Sequence, residues 1–475
     1  MKLSKAILFI CLSFSLSQLL LPLLDDGICA CLSISPPSEN LLINTRFRHL
    51  TPLMEFQPED PSTVQEIVRC AARHSKHIAV RSGGHSYIGS SSCDGCVVIN
   101  LARMNRTVAI DPLSKTLTVQ AGMSLGSLYE ILGSRNWTAA AGSCPDVAIG
   151  GHSVVGGVGK LSRTLGLFVD SILEYQIVDP EGRLVTASST LHEDLYWGLR
   201  GGGTSFGVVT QIRMQAYDSS ELVTEFFWKG AKGDPIDFVL KILQWAPKQD
   251  PRMNFCLVVP STMEELQITG TFWGPKSDLE MIFQTSGLFT ESGADIQLFE
   301  LLYHQNILQH KLTEPHSFVA GGHWIKSAED LTLQRLEELF NAASRLQGGS
   351  WPWLQFTSLG SRSAVNQRLQ NHTAFPHRGM DWLVQSYSAC VDQQLCLDTF
   401  ATFSRDVTRM LGEEGYLGYP NESLRDSALS YWGPNLDRLQ QVKAKYNPSR
   451  LFFSRQDAEL RPIEGSRRQV PLLLL

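Results

Sequence analysis

The chain is short of charge. Asp, Glu, Lys and Arg make up 19% of its 475 residues, and 41 Lys and Arg against 47 Asp and Glu leave a formal net charge of −6. No basic run stands out, so nothing supports a nucleic-acid partner, and net charge alone selects no substrate. Metal-ligand spacing is also missing. Cys93-Asp94-Gly95-Cys96 has no matching pair nearby, and a lone pair cannot complete a tetrahedral zinc site. A disulfide, local or to another cysteine, is the expectation there. No glycine cluster has Rossmann spacing, and no clear strand leads directly into the first one. Internal repeats and low-complexity linkers are absent. Beyond the N-terminus no stretch is long and apolar enough to span a bilayer. What remains is 43% apolar and describes an ordinary globular chain with a large core and two to three domain lengths.

The N-terminus reads as a secretory signal peptide over residues 1–30. Lys2 and Lys5 precede an apolar run from Ala6 to about Leu24, and Gly27, Cys29 and Ala30 follow. The run is almost long enough for a membrane anchor, but Ser13, Ser15, Ser17, Gln18 and Pro22 dilute it, so no stable membrane insertion is expected. Export gives meaning to four glycosylation triplets, at Asn105, Asn136, Asn371 and Asn421. It also favours disulfides among the cysteines. Cleavage after Ala30 leaves Cys31, Cys70, Cys93, Cys96, Cys144, Cys256, Cys390 and Cys396. If Cys144 holds a cofactor, the remainder is odd and one thiol stays unpaired. Cys256, inside the apolar run Phe255–Val259, is the candidate.

Residues 45 to about 218 alternate short β-rich runs with glycine turns: Ile78–Val80, Val97–Leu101 and Thr116–Gln120 read as strands. Thr63 to Arg73 reads as a helix with Val64, Ile67, Val68 and Ala71 on one face, and Ser62 with Gln65 as a capping box. From about 219 to 425, strand-like runs (Leu222–Trp228, Leu266–Phe272) alternate with helices. One of these, Asp330 to Leu346, places Leu333, Leu336, Phe340 and Ala343 on an apolar face. This mixture predicts an α+β fold with an antiparallel sheet. Pro434 to Tyr446 is again helical, with Leu436, Leu439 and Val442 on one side.

Two nucleophiles sit on glycine turns: His85 in Arg81-Ser82-Gly83-Gly84-His85-Ser86-Tyr87 and Cys144 in Gly142-Ser143-Cys144-Pro145. The second runs into Gly150-Gly151-His152, and Gly156-Gly157 and Gly159 follow. A further cluster, Gly201-Gly202-Gly203, precedes Phe206-Gly207-Val208-Val209. Glycine lets backbone N–H groups approach a ligand closely, and a concave set of such donors suits a pyrophosphate. Two tight loops at strand ends would explain either cluster alone. A histidine after a turn and an exported cysteine are each commonplace. Together they suggest a flat, phosphate-bearing cofactor tethered at two points.

The segments Arg81–Tyr87, Gly142–Arg163 and Leu199–Val209 resemble the FAD-binding domain, of PCMH type, of the berberine bridge enzyme-like oxidases within the vanillyl-alcohol oxidase superfamily. Thr373–Arg378, Tyr431–Leu439 and Val442–Pro448 resemble further segments of that family, so the likeness covers nearly the whole mature chain. The resemblance implies a two-part FAD-binding domain (45–218, completed by 426–460) and a substrate domain (219–425) whose antiparallel sheet is flanked by helices. It implies His85 bonded to the flavin 8α-methyl and Cys144 bonded to flavin C6. Arg81, Ser82, Gly83, Gly84 and Ser86 are then expected along the pyrophosphate. Gly150, Gly151, His152, Gly157 and Val209 are also expected to contact FAD, with Asn435 reaching the flavin from the C-terminal segment. No metal is implied.

The same resemblance bears on catalysis. The family's Tyr-x-Asn-Tyr-x-Asp segment is represented by Tyr416-Leu417-Gly418-Tyr419-Pro420-Asn421, which keeps both tyrosines and replaces the Asn and Asp. Tyr416 is the first choice for the base and Tyr419 the second. The other reading is a structural tyrosine in a loop. Gln385 and Tyr387 lie on one side of an expected strand, facing substrate or else a neighbouring helix. Ala148 stands where a glycine is usual, and Val147 falls at the position thought to control oxygen access, where valine resembles the oxidases. The expectation is a secreted FAD-dependent oxidase acting on an alcohol or related C–H centre of a sugar or specialised metabolite, with oxygen as acceptor and hydrogen peroxide as product. A dehydrogenase with another acceptor, or a secreted flavin-binding protein with little turnover, are the alternatives.

Overall fold

The computed structural model describes residues 42–219, 222–230, 234–263, 265–289, 296–308, 313–452 and 454–455. The expected signal peptide and Cys31 lie outside them. Among the described residues, no helix is long and apolar enough to cross a membrane.

The N-terminal half builds two larger sheets and a two-stranded ribbon of Trp137–Thr138 with Tyr217–Asp218. Met54–Phe56, Val97–Asn100 and Ile78–Arg81 form a three-stranded parallel sheet with Val97–Asn100 in the middle. Thr107–Asp111, Thr116–Gln120, Val208–Gln215, Ile172–Val178 and Leu184–Ser188 form a five-stranded antiparallel sheet in that order. The helix Pro61–Arg73 packs Val64, Ile67, Val68 and Ala71 into the core. Its cap is not the expected Ser62–Gln65 box. Pro61, whose fixed φ suits the first helical position, makes Asp60 the cap, and Asp60 accepts the Thr63 N–H at 2.9 Å. Gln65 instead donates to the Gly182 carbonyl. Leu436, Leu439 and Val442, from the helix Leu436–Tyr446, and Leu451 and Phe452 beyond it are buried in this same core.

The second core lies under a seven-stranded antiparallel sheet. Its order is Gln297–Leu301, Val223–Gly230, Leu266–Phe272, Met253–Pro260, Gly349–Ser358, Trp382–Cys390 and Phe318–Ile325. The helices Pro235–Trp245, Lys276–Ser286, Leu333–Ala343 and Gln393–Leu411 supply apolar side chains to one face. Leu333, expected on the buried stripe, is 41% exposed, because the helix begins at that residue. The period-two alternation of a strand divides the central residues between faces. Leu354, Phe356, Trp382 and Val384 enter the core under the helices, while Trp353, Gln355, Gln385 and Tyr387 line a cavity on the other side. The fold is α+β.

Cys93–Cys96 and Cys390–Cys396 are disulfides, and Cys256 carries a thiol. Asn105, Asn136 and Asn371 are exposed. Asn421 is not a usable glycosylation acceptor in this fold: it is 3% exposed, and its amide donates to Ser404 Oγ at 2.7 Å.

Candidate active site

A cavity of about 560 Å³ lies between the glycine-rich turns of the first core and the open face of the seven-stranded sheet. Its volume is in the range of small-molecule and cofactor sites. His85 and Cys144 both face it. The two turns are pressed together: a Cβ at Gly83 would fall 2.7 Å from Ala148 N, and one at Gly150 would fall 2.4 Å from Ser82 Oγ. His85 Nε2 lies 3.4 Å from Asp146 Oδ2. The Cys144 sulfur is accessible through the cavity. The protein packed around it raises its thiol pKa, Asp146 adds to the rise, and Lys160 opposes it.

The expected cofactor residues divide into three groups. Ser82, Gly83, Gly84, Ser86, Gly150, Gly151, His152 and Val209 line the cavity with His85 and Cys144. Gly157 lies just behind the wall: its N–H donates to Tyr416, and a Cβ there would fall 2.4 Å from that of Phe168, so only glycine fits. Arg81 and Asn435 are placed differently from expectation. Arg81 is buried in a two-pronged pair with Glu55 (3.0 and 3.2 Å) and also donates to the Ser91 carbonyl, so its fork braces the turn from beneath. Asn435 donates to the carbonyls of Gln370 (2.8 Å) and Thr373 (3.2 Å), which pins a loop away from the cavity. His152 Nε2 accepts the Gly142 N–H at 2.9 Å; burial lowers its pKa to about 4, so it is neutral.

Four tyrosines gather opposite. Gly321-Gly322 in the strand Phe318–Ile325 allow the 416–421 loop to lie on the sheet. A Cβ at Gly322 would come within 2.9 Å of Tyr419 Cβ and 3.2 Å of Tyr416 Cβ. Trp324 fastens the loop, its backbone N–H donating to Glu414 O and its indole to Gly415 O. Tyr416 is 3% exposed, and its hydroxyl oxygen accepts the N–H groups of Gly157 (3.1 Å) and Val158 (3.3 Å). Burial raises its pKa to about 12, against the pull of those two amides. Its ring covers Gly418, where a Cβ would sit 2.4 Å from Tyr416 Cζ. Tyr419 is half-buried and meets Tyr416 edge-on (5.1 Å) and Tyr87 face-on (5.8 Å). Burial and the neighbouring Tyr87, Tyr416 and Cys144 push its pKa well up.

Gln385 and Tyr387 do face one side. Gln385 donates to the Tyr87 hydroxyl at 2.9 Å. The Tyr387 ring lies between Trp353 (5.0 Å) and Phe318 (5.2 Å), and its hydroxyl bonds to His316 Nε2. Sequence reasoning missed Tyr87, His316, Phe318, Trp353, Gln355 and Asp146. The alternating run Trp353-Leu354-Gln355-Phe356 offered a signal for two of them. Among the described residues lining the cavity there is no Asp, Glu, Lys or Arg.

Two families of sequence match the chain: an FAD binding domain over residues 52–188 and a "berberine and berberine like" segment over 415–457. The carbohydrate oxidase of Microdochium nivale is 28% identical over 86% of this chain and 87% of its own. The chitooligosaccharide oxidase of Gibberella zeae is 29% identical over 83% and 85%. The structure of a berberine bridge enzyme-like protein from Physcomitrella patens superposes with a TM-score of 0.85 at 25% identity, covering 92% of this chain and 99% of that one. Fold and site thus define an FAD-linked oxidoreductase. More narrowly, these matches support a berberine bridge enzyme-like FAD-linked oxidase of the vanillyl-alcohol oxidase superfamily.

The residues present fit FAD. A Cβ at Gly151 would meet nothing within 4 Å, so this wall is bare backbone facing open space. An uncharged, glycine-rich wall lets a pyrophosphate come close to the backbone.

Proposed function

We propose that this chain is a secreted oxidase that holds FAD on His85 and Cys144 and oxidises an alcohol or related C–H centre of a small molecule, forming hydrogen peroxide. A sugar is the first choice of substrate and a specialised metabolite the second. The observation that carries the reading is the cavity itself: both nucleophiles face it from one wall, and an aromatic, amide-bearing wall stands opposite. The names of the two fungal relatives favour a carbohydrate. So does the uncharged lining, which gives no counter-charge to an ionic substrate. Trp353 and Tyr387 offer flat faces for the apolar side of a sugar ring, and Gln355 and Gln385 offer amides for its hydroxyls. The disulfides and the three exposed acceptor asparagines support export.

FAD held by His85, Cys144 and the glycine turns would supply a two-electron acceptor for the substrate's hydrogen, with oxygen as the final acceptor. The chain's own task is the proton. A base must come within hydrogen-bond reach of the hydroxyl it deprotonates. Both tyrosines border the cavity, but Tyr416 is 3% exposed with its oxygen turned to Gly157 and Val158, whereas Tyr419 is half-buried. We therefore take Tyr419 as the base ahead of Tyr416, with Tyr416 setting its ring edge-on. Tyr87, stacked on Tyr419 and fixed by Gln385, orients the same hydroxyl region. Val147 lines the cavity at the position the resemblance links to oxygen access.

The test is peroxide release over a panel of mono- and oligosaccharides and aromatic alcohols, with a dye acceptor in parallel. Peroxide with sugars supports the reading. Dye reduction without peroxide makes the protein a dehydrogenase, and inertness in both makes it a flavin-binding protein.

A further inference from the structure

Asp146 joins the two turns that carry the attachment residues. It follows Cys144 by two positions, and its Oδ2 lies 3.4 Å from His85 Nε2. The same Oδ2 accepts the Thr313 N–H at 2.9 Å, and Oδ1 lies 3.4 Å from the Thr313 hydroxyl, so a third segment fixes the carboxylate's orientation. Histidine and aspartate side chains are 19% and 20% exposed, shielded but reachable. The contact follows from the backbone: Gly83 lets the histidine turn close on Asp146–Ala148, where a Cβ would fall 3.2 Å from Asp146 O. Burial works to raise the Asp146 carboxyl, but the bond and charge of His85 and the Thr313 amide outweigh it and hold the group below its ordinary range. Asp146 is thus an anion, and an imidazole beside it donates from Nε2. The Nε2–H tautomer leaves its lone pair on Nδ1. Among the described residues nothing hydrogen-bonds Nδ1.

We propose that Asp146 is the positioning residue for self-attachment of the flavin at His85: it turns Nδ1 toward the ring methyl and takes the Nε2 proton as the bond forms. The proposal rests on His85 being an attachment residue. The step balances with dissolved oxygen as oxidant. One C–H bond of the methyl breaks, and a C–N bond forms from the Nδ1 lone pair. The two electrons of the broken bond reduce the flavin ring and then pass to oxygen. The methyl proton and the imidazole proton, the latter by way of Asp146, leave with them as hydrogen peroxide. A neutral amide at 146 can still accept a hydrogen bond through its oxygen but cannot take up the proton, so geometry and proton transfer can be tested separately.

The experiment uses the full chain in a Cys144→Ala background, where His85 is the single tether. Three proteins are compared: Cys144→Ala alone, with Asp146→Asn, and with Asp146→Glu. The native flavin spectrum reports folding and FAD binding, and mass analysis of the His85 peptide after acid precipitation reports attachment. The expected result is near-complete attachment in the parent, at least a tenfold lower attached fraction in the Asn variant with FAD still bound, and recovery in the Glu variant. Attachment at the parental level in the Asn variant overturns the proposal and leaves His85 as the anchor. Absence of flavin from His85 in both the parent and the unmodified chain overturns the proposal together with the reading beneath it. Should the Asn variant not fold, Thr313→Pro, which removes the amide that orients the carboxylate, is expected to slow attachment; an unchanged level there overturns the proposal.

Discussion

The pair Arg81–Glu55 decides whether Arg81 is a phosphate ligand or a brace. Both side chains are 2–3% exposed, Arg81 Nη1 reaches both Glu55 oxygens, and Asn100 donates to one of them at 2.8 Å. Burial lowers the Arg81 pKa and Glu55 raises it, so the cation depends on its partner. Removing one member of such a pair leaves a buried, uncompensated charge or acceptor, and costs about 3–5 kcal/mol. Replacing both members by neutral groups is far gentler. Glu55→Gln and Arg81→Met should therefore each cost about 3–5 kcal/mol, and the double variant no more than either single one, a coupling of roughly 3 kcal/mol or more. In a lobe of this size that corresponds to a fall of roughly 6–20 °C in the unfolding midpoint for each single change. Calorimetry at a fixed scan rate reads it. A phosphate-ligand role predicts something else: Arg81→Met would lose FAD, while Glu55→Gln would be nearly silent and the two would add. That outcome would refute the brace.

Further predictions follow from the cavity and the cores. Gly418→Asn should push the Tyr416 ring off the Gly157 and Val158 amides, since even a Cβ falls 2.6 Å from its hydroxyl; turnover should fall at least tenfold, and unchanged kcat would remove Tyr416 from its positioning role. Trp353→Ala removes the stacking partner of Tyr387, and such stacking is worth about 0.5–1.5 kcal/mol, so KM for an oligosaccharide should rise roughly 2- to 12-fold with kcat little changed. Burial holds His152 and His323 near about 4 and His377 near about 3, below the usual value for histidine of 6.5. The unfolded chain takes up these protons first, so stability should be full above about pH 6.5 and fall as the pH drops toward about 4, by up to about 1.4 kcal/mol per pH unit per histidine. His377→Gln should flatten that slope in acid-unfolding curves. Tyr419→Phe should cut kcat by roughly 10²- to 10⁴-fold with FAD still attached.

Local pattern carried much of the fold. The strand Leu266–Phe272 and the buried faces of the helices Pro61–Arg73 and Leu436–Tyr446 follow from period-two and period-3.6 spacing. What pattern does not carry is partnership across the chain. Arg81 reads as a phosphate contact until the parallel pairing of Met54–Phe56 with Val97–Asn100 brings Glu55 beside it. A triplet at Asn421 says nothing of its burial at the end of the tyrosine loop, against Gly321 and Ser404. Gly321-Gly322 marks the place where that loop meets the sheet, but only the assembled sheet gives the reason. The nucleophiles, Gln385 and Tyr387 were legible as types on a turn or a strand. Tyr87, Asp146, Trp353 and His316 come together only because four distant segments close around one cavity.

The central claim is a single FAD held at two points. The unmodified protein is to be precipitated in acid, digested, and its peptides weighed. The account predicts a yellow precipitate and one flavin mass joining the His85 peptide to the Cys144 peptide, reduced to a single-peptide adduct by His85→Ala or by Cys144→Ala. A colourless precipitate, or a flavin found on neither peptide, would contradict it.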